Sequence, residues 1–350
     1  MLQTAHPVLR RFWYPLMPVS RLEAGPQPFT LLNTELVVWR GADGSLGAIR
    51  DRCCHRSAKL SRGYVEGNCI TCAYHGWSYA ADGQVMCIPQ AAPEQQGKPT
   101  GLSIESYHVA ERYGHVWVAL EDPLSPIPEM PEAADAGMRR LDQFCEVWQC
   151  ASLRVMENSF DTSHIAFTHR HSFGDITDVV QEALHFEETA QGFDVAERSH
   201  RAMNRTGAVA ALRVEGEMTH RSQTAQWFMP FSRRLAIRYP SGLRCTFFTG
   251  ATPIDDKTCM LVQFCFRSDT EEEVSFEAAT AYDRIIVDED RNILESMEYD
   301  VPLVPTREEE IAMRSDRPGL TIRRRLRELL AAHGETESRL RTVVPIAVSA

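Results

Sequence analysis

The chain has 350 residues, 43% of them apolar and 24% charged, which suits about two globular domains and rules against disorder, collagen or coiled coil. Lys and Arg number 37 against 48 Asp and Glu, a net charge of -11, so neither nucleic acid nor an anionic membrane is expected as the main partner. No apolar run reaches the roughly 20 residues of a membrane span. The first residues lack the basic and apolar regions of a secretory signal, and a cytoplasmic protein is expected.

Residues 27–120 read as a β-rich block. Phe29–Leu32, Glu35–Arg40 and Ser45–Arg50 are short apolar or β-branched runs, with turns predicted at Asn33-Thr34 and Gly41–Gly44. Ala81-Asp-Gly83 signals a further hairpin, and His115–Leu120 a buried strand. Glu121–Pro131 carries four prolines in eleven residues. Proline removes donors and blocks helix and central strand alike, so this segment is the predicted linker. It divides the chain into domains at 1–124 and 125–350. Beyond it, residues 143–154 read as strand and 155–168 as helix, and strands including Ala208–Val214 and Met260–Phe266 fill 183–267. A long helix is predicted over 271–299 and a shorter one over Thr321–His333. Strands followed by a long helix point to an antiparallel α+β domain.

Ten cysteines are too few for a disulfide scaffold in a chain of this length. Several sit beside histidine instead. Within the loops at 51–77, Cys53-x-His55 and Cys72-x2-His75 are separated by sixteen residues. Structural zinc sites usually pair Cys with Cys and His with His. Here each loop offers one of each, which suits two thiolates on one iron and two imidazoles on the other iron of a Rieske [2Fe–2S] cluster. Cys54 competes with Cys53 as the ligand of the first loop. Asp51, Arg52 and Arg56 are ordinary loop charges or shape the surface near the histidines.

A second constellation runs through Asn158, Asp161, His164 and His169, with His171 beyond it. On a continuous helix the first three share one face, flanked by Phe160, Ile165 and Phe167. His169 follows His164 by five residues, so the helix has to end or distort for both to bind one metal. Two histidines and a carboxylate with open positions define the facial triad of non-heme Fe(II) oxygenases. The carboxylate is sought in the long helix, where Ala279, Ile286, Ile293, Leu294 and Met297 form an apolar face and Asp290 sits within it. A carboxylate there is costly unless paired or metal-bound. Asp283, close to the same face, is the rival.

On these residues the chain resembles the large (alpha) subunits of Rieske non-heme iron oxygenases. The family patterns Cys-Pro-His-Arg…Cys-x-Tyr-His-Gly-Trp and Asn-x2-Asp-x2-His-x4-His are met, except that Cys54 replaces the usual proline. Glu289-Asp290-Arg291 matches the stretch that holds the family's carboxylate ligand. Arg11–Leu16 and Val287–Ser296 look like the monooxygenase and demethylase branch, which includes methylxanthine, vanillate and dicamba enzymes. The resemblance implies an N-terminal all-β Rieske domain followed by a helix-grip (START/Bet v 1-like) catalytic domain. It implies a cluster on Cys53, His55, Cys72 and His75 and a mononuclear Fe(2+) on His164, His169 and Asp290. Asp161 would link cluster ligand His75 of one copy to His164 of the next in a head-to-tail homotrimer, with Asn158 nearby.

The expected reaction is hydroxylation or oxidative demethylation of a small aromatic or heterocyclic molecule by O2, with dioxygenation also open. The sequence has no Gly-x-Gly-x-x-Gly fingerprint, so electrons from NAD(P)H are expected through a separate reductase or ferredoxin. Phe160, Phe173, Trp227, Phe228, Phe247 and Phe248 are candidates to line the pocket, and no Arg or Lys stands out as a carboxylate clamp. The competing reading is an electron carrier or sensor whose second domain binds ligand without chemistry, and a third is a zinc-stabilised scaffold.

Overall fold

The computed structural model describes residues 1–92, 101–180, 183–205 and 207–340. Residues 341–350, assigned above to the second domain, lie outside them. Among the described residues the N-terminal block holds ten strands: β1 (Tyr14–Pro18), β2 (Gln27–Leu31), β3 (Thr34–Arg40), β4 (Leu46–Arg50), β5 (Tyr64–Glu66), β6 (Cys69–Thr71), β7 (Ser78–Tyr79), β8 (Val85–Cys87), β9 (His108–Arg112) and β10 (His115–Ala119). They form three antiparallel sheets, ordered β1-β10-β9, β2-β3-β4 and β5-β6-β7-β8. The β2–β3 hairpin turns on Leu32 and Asn33, at φ 48° and 59°, one residue earlier than predicted, because Thr34 already pairs with Leu31. The turn at Ala81–Gly83 is where expected. Gly83 is at φ 81° with the Ile104 carbonyl lying where a Cβ would stand, so no other residue fits there.

The second block is a seven-stranded antiparallel sheet with helices. Its elements are β11 (Arg139–Trp148), α1 (Ser152–Phe160), α2 (Ile165–Thr168), β12 (Phe186–Glu188), β13 (Gly192–Met203), α3 (Ala208–Leu212), β14 (Met218–Phe228), β15 (Ser232–Arg238), β16 (Arg244–Pro253), β17 (Cys259–Arg267), α4 (Phe276–Leu294) and α5 (Arg317–Ala332). The strand order is β11-β17-β16-β15-β14-β13-β12. Ser275 starts α4, its hydroxyl accepting from the Ala278 amide at 3.1 Å. The helix then buries Ala279, Tyr282, Asp283, Val287 and Leu294. A Rieske-type β block followed by a helix-bearing antiparallel sheet is the predicted fold class.

Several local expectations change. The run Ala208–Val214 is not a strand: Ala208–Leu212 is α3, bounded by Gly207 and Arg213, both left-handed. Three alanines in five residues favour helix, and that outweighs the apolar run. The strand predicted at 143–154 is β11, ending at Trp148, and the helix predicted at 155–168 stops at Phe160. Ile293 and Met297 are exposed at 42% and 43%, and Phe167 at 55%, so none of them belongs to the inward faces proposed above.

The proline-rich segment has no regular strand or α-helix, yet it is held. Ile127 and Met130 are buried in one cluster with Trp117, Phe248, Phe264 and Phe266. The Tyr113 hydroxyl donates to the Pro128 carbonyl and accepts from the Met130 amide. The first residues cross the predicted division as well: the Val8 amide donates to Glu335 at 2.8 Å, and Leu9 and Phe12 share a core with Leu153 and Leu326.

Candidate active site

Cys53 and Cys72 are buried, whereas His55 is exposed and His75 half-buried. The two imidazoles face each other with centroids 4.5 Å apart, and His55 stacks on Trp77 at 4.7 Å. The Tyr79 hydroxyl lies 3.0 Å from Cys53 Sγ. Cys54 is exposed and its sulfur is turned to the same hydroxyl at 3.4 Å, so Cys53 is the thiol that shares the buried side with Cys72. Among the described residues, only a histidine–aspartate trio elsewhere brings three ligand atoms within 4.8 Å of one another. The Cys–His quartet is therefore too spread for one tetrahedral ion, and it suits a two-iron cluster with sulfur inside and imidazole at the rim. Asp51 is buried and accepts from the Ser61 amide and hydroxyl at 2.8 and 2.7 Å. It pins the ligand loop rather than shaping the outer surface.

The second site is built on a chain break. Asp161 ends α1 in extended conformation, φ -82° and ψ 138°. Its Oδ1 then accepts from the Ser163 amide at 2.7 Å and starts the next turn. Asn158, Asp161 and His164 therefore do not share the face of one helix. The break swings α2 so that His164 and His169 converge.

His164 Nε2 lies 3.3 Å from His169 Nε2 and 3.5 Å from Asp290 Oδ1, and His169 Nε2 lies 3.2 Å from the same oxygen. Such a triangle fits three ligands each about 2 Å from one metal ion. Asp290 Oδ1 is buried with no hydrogen-bond partner, an arrangement that a bound cation would satisfy. Burial alone would raise the Asp290 carboxyl, but His169, His164 and Asn158 outweigh it and hold it below the usual carboxylate range.

The outer nitrogens meet carboxylates. His164 Nδ1 is 3.4 Å from Asp161 Oδ2, and His169 Nδ1 is 3.0 Å from Glu289 Oε2. The Ser172 hydroxyl donates to that Glu289 oxygen at 2.6 Å. The Glu289 hydrogen bond fixes the tautomer that turns His169 Nε2 towards the metal, while His164 Nδ1 faces Asp161 as a charge and makes no hydrogen bond. Glu289 and Ser172 were missed from sequence. The signal available was an acid beside the presumed ligand, but its partner lies 120 residues away. His171 is exposed and accepts from Arg170 Nε.

Asp283, the rival carboxylate, stands apart from the trio. It is buried, accepts from Gln143 Nε2 at 2.5 Å, and its pKa is pushed up to about 6 by burial. A raised folded-state pKa means that the stability from protonation is present at low pH and is lost as pH rises through about 6. Asp283→Asn is therefore expected to match the wild type near pH 4 and to be more stable by about 2–3 kcal/mol at pH 8. Denaturant unfolding at both pH values checks this, and equal stability at pH 8 contradicts it.

A cavity opens between the trio, the sheet and α4. Phe160, Phe173 and Phe247 line it, together with Arg221, Arg233, Tyr239 and Tyr282. Trp227 and Phe248 are fully buried away from it, and Phe228 does not line it either, so half of the predicted aromatic lining belongs elsewhere.

A buried thiol pair under two rim imidazoles, with a separate two-histidine, one-carboxylate triangle at the end of a cavity, defines a Rieske-type non-heme iron oxygenase. Sequence comparison agrees. Residues 12–108 match the Rieske [2Fe-2S] domain, and residues 148–332 match the vanillate O-demethylase oxygenase C-terminal domain. Methylxanthine N1-demethylase NdmA of Pseudomonas putida is 30% identical over 346 residues, covering 96% of this chain and 93% of that protein. Methylxanthine N3-demethylase NdmB of the same species is 28% identical, covering 82% and 81%. The structure of P. putida CBB5 NdmA with caffeine superposes with a TM-score of 0.78 at 28% identity, covering 94% and 93% of the two chains. The chain belongs to the Rieske non-heme iron oxygenase family, in the branch that carries the vanillate O-demethylase oxygenase C-terminal domain. It is an O2-dependent oxygenase whose cofactors are a [2Fe–2S] cluster and a mononuclear iron. None of the described helices is long and apolar enough to cross a membrane.

Proposed function

We propose that this chain is the oxygenase component of a system that hydroxylates or oxidatively demethylates a small aromatic or heterocyclic substrate. Electrons come from NAD(P)H through a separate reductase or ferredoxin. The observation that carries the reading is the triangle of His164, His169 and Asp290 at the cavity end. In this reading Cys53 and Cys72 hold one iron of the cluster, and His55 and His75 hold the other. The trio holds the mononuclear iron.

When bound, these groups supply single electrons and a site at which O2 is activated. The protein does the rest. The exposed edge of His55 and His75 faces a neighbouring copy or a redox partner. Asp161 faces His164 within its own chain and, with its side chain 30% exposed, would meet His75 of the next copy in a homotrimer. Glu289 orients His169, and Asn158 steadies Asp290. Phe160, Phe173 and Phe247 exclude water from an aromatic substrate and hold it flat. The relatives NdmA and NdmB remove N-methyl groups from methylxanthines by their names, which supports demethylation here. The division at residue 124/125 remains part of the same proposal.

The test is iron and product together. Purified protein is expected to be red-brown with three irons per chain, and turnover with a surrogate reductase to release formaldehyde in step with O2 uptake. Two irons per chain and no O2-dependent product would instead fit a carrier.

A further inference from the structure

The cavity holds a positive charge that nothing in the proposed iron chemistry uses. Arg221 projects from β14, is 6% exposed, and lines the cavity. Its Nε donates to His200 Nε2 at 2.9 Å, and one terminal nitrogen reaches the Tyr239 hydroxyl at 3.5 Å. Neither partner carries a negative charge, and the third neighbour, the Phe173 ring, supplies a cation–π contact at 4.4 Å but no counter-charge. Burial and the neighbouring guanidinium push the His200 pKa down to about 2, so this imidazole stays neutral.

Among the described residues no carboxylate oxygen comes within 4.0 Å of Arg221. Asp283, which lines the same cavity, is engaged with Gln143 instead. Arg233 stands nearer the metal end, facing Asp290, where one terminal nitrogen donates to the Ser159 carbonyl at 3.0 Å and its Nε has no partner. A buried guanidinium without a counter-charge is costly. Beside it, the Tyr282 hydroxyl is buried, lines the same cavity and has no hydrogen-bond partner. Tyr282 is 3% exposed. Two unmet demands, one for an anion and one for a hydrogen-bond acceptor or donor, thus converge on the cavity.

The distance to the iron end is short. Phe173 stacks on His169 with centroids 4.6 Å apart, and the Arg221 guanidinium carbon lies 4.4 Å from the Phe173 centroid. One aromatic ring separates the cation from an iron-side imidazole. Phe173 itself fills that gap, so a molecule that reaches both places runs past this ring, with an anionic group at one end and its reacting carbon at the other.

From this we infer that Arg221, with the hydroxyls of Tyr239 and Tyr282, is the anion-binding end of the cavity, and that the substrate is a small aromatic carboxylate rather than a neutral heterocycle. The inference deepens the proposed function and rests on it for the identity of the reacting end. Arg221 is a substrate-positioning residue. Its guanidinium pairs with the carboxylate through charge-assisted hydrogen bonds, and the far substituent, a methyl, methoxy or N-methyl group, then faces the iron ligands.

The test is anaerobic calorimetric titration of the holoenzyme, without reductase, using 4-methoxybenzoate, its neutral amide 4-methoxybenzamide, and caffeine. The acid is expected to bind the wild type at least tenfold tighter than either neutral molecule. Arg221→Gln should weaken the acid about 10- to 100-fold and leave the amide nearly unchanged. Tyr282→Phe, which keeps the ring packing, should weaken the acid severalfold and serves if Arg221→Gln does not fold. Equal binding of acid and amide, tighter binding of caffeine, or an acid affinity indifferent to both substitutions overturns the inference. The last of these would place the carboxylate on the iron itself. Because binding is read without turnover, tight acid binding with no O2-dependent product would count against the oxygenase reaction and not against the anion site.

Discussion

His169→Ala is expected to empty the mononuclear site and stop product formation while leaving the Rieske cluster in place. Iron content should fall from three per chain to two, the red-brown visible spectrum should persist, and turnover should drop by about a hundredfold or more. The reasoning is geometric. His169 supplies one corner of the triangle, and the alanine methyl offers no donor atom in its place. The cluster ligands lie on loops of a separate sheet block and share no hydrogen bond with it. His164→Ala should behave alike. Glu289→Gln is the graded companion, because it leaves all three corners and loosens only the His169 tautomer, so a loss of about 10- to 100-fold in iron affinity is expected. Iron analysis beside the visible spectrum reads all of these. Undiminished product from His164→Ala or His169→Ala would remove the basis of the proposed site.

Asp161→Asn should separate electron transfer from metal binding. Both metals are expected to stay, since Asp161 is not a corner of the triangle. The rate at which a reduced cluster is reoxidised in a single turnover should fall by about 10- to 100-fold. Burial would raise the Asp161 carboxyl, yet His164 and the Ser163 amide outweigh it and keep it ionised. The amide of asparagine can still start the following turn, but it loses the negative charge that polarises His164 and any imidazole of a neighbouring chain. Normal reoxidation with normal iron content would show that the link between copies does not run through this residue.

The parts of the site that could be read from sequence are those whose partners are near in the chain. Cys53 with His55, Cys72 with His75, and His164 with His169 each lie within five residues, so a short spacing reports a shared target. The need for a helix break before His169 was readable for the same reason. The break itself, at Asp161, was not, because an Asx turn and a continuing helix can share the same residue types.

What depends on distant pairing stayed hidden. Glu289 meets His169 across 120 residues, and Arg221 looks like any other charged residue in a strand until the register pairs it with His200. The aromatic lining divided for a like reason. Phe247 and Phe248 are adjacent, so in a strand they must point to opposite faces, and only the sheet's packing decides which one meets the cavity. At Ala208–Leu212 the sequence reading followed apolar content, and local alanine propensity prevailed.

The pinned tether between the two blocks has one more effect. With Ile127 and Met130 sunk beside Trp117 and Phe264, and the Tyr113 hydroxyl gripping the backbone on either side of Glu129, the sulfur-bearing head is packed against the second block rather than hung on a loose linker. If electrons pass between copies as proposed, the way whole molecules stack, rather than the swing of an arm, would set the path.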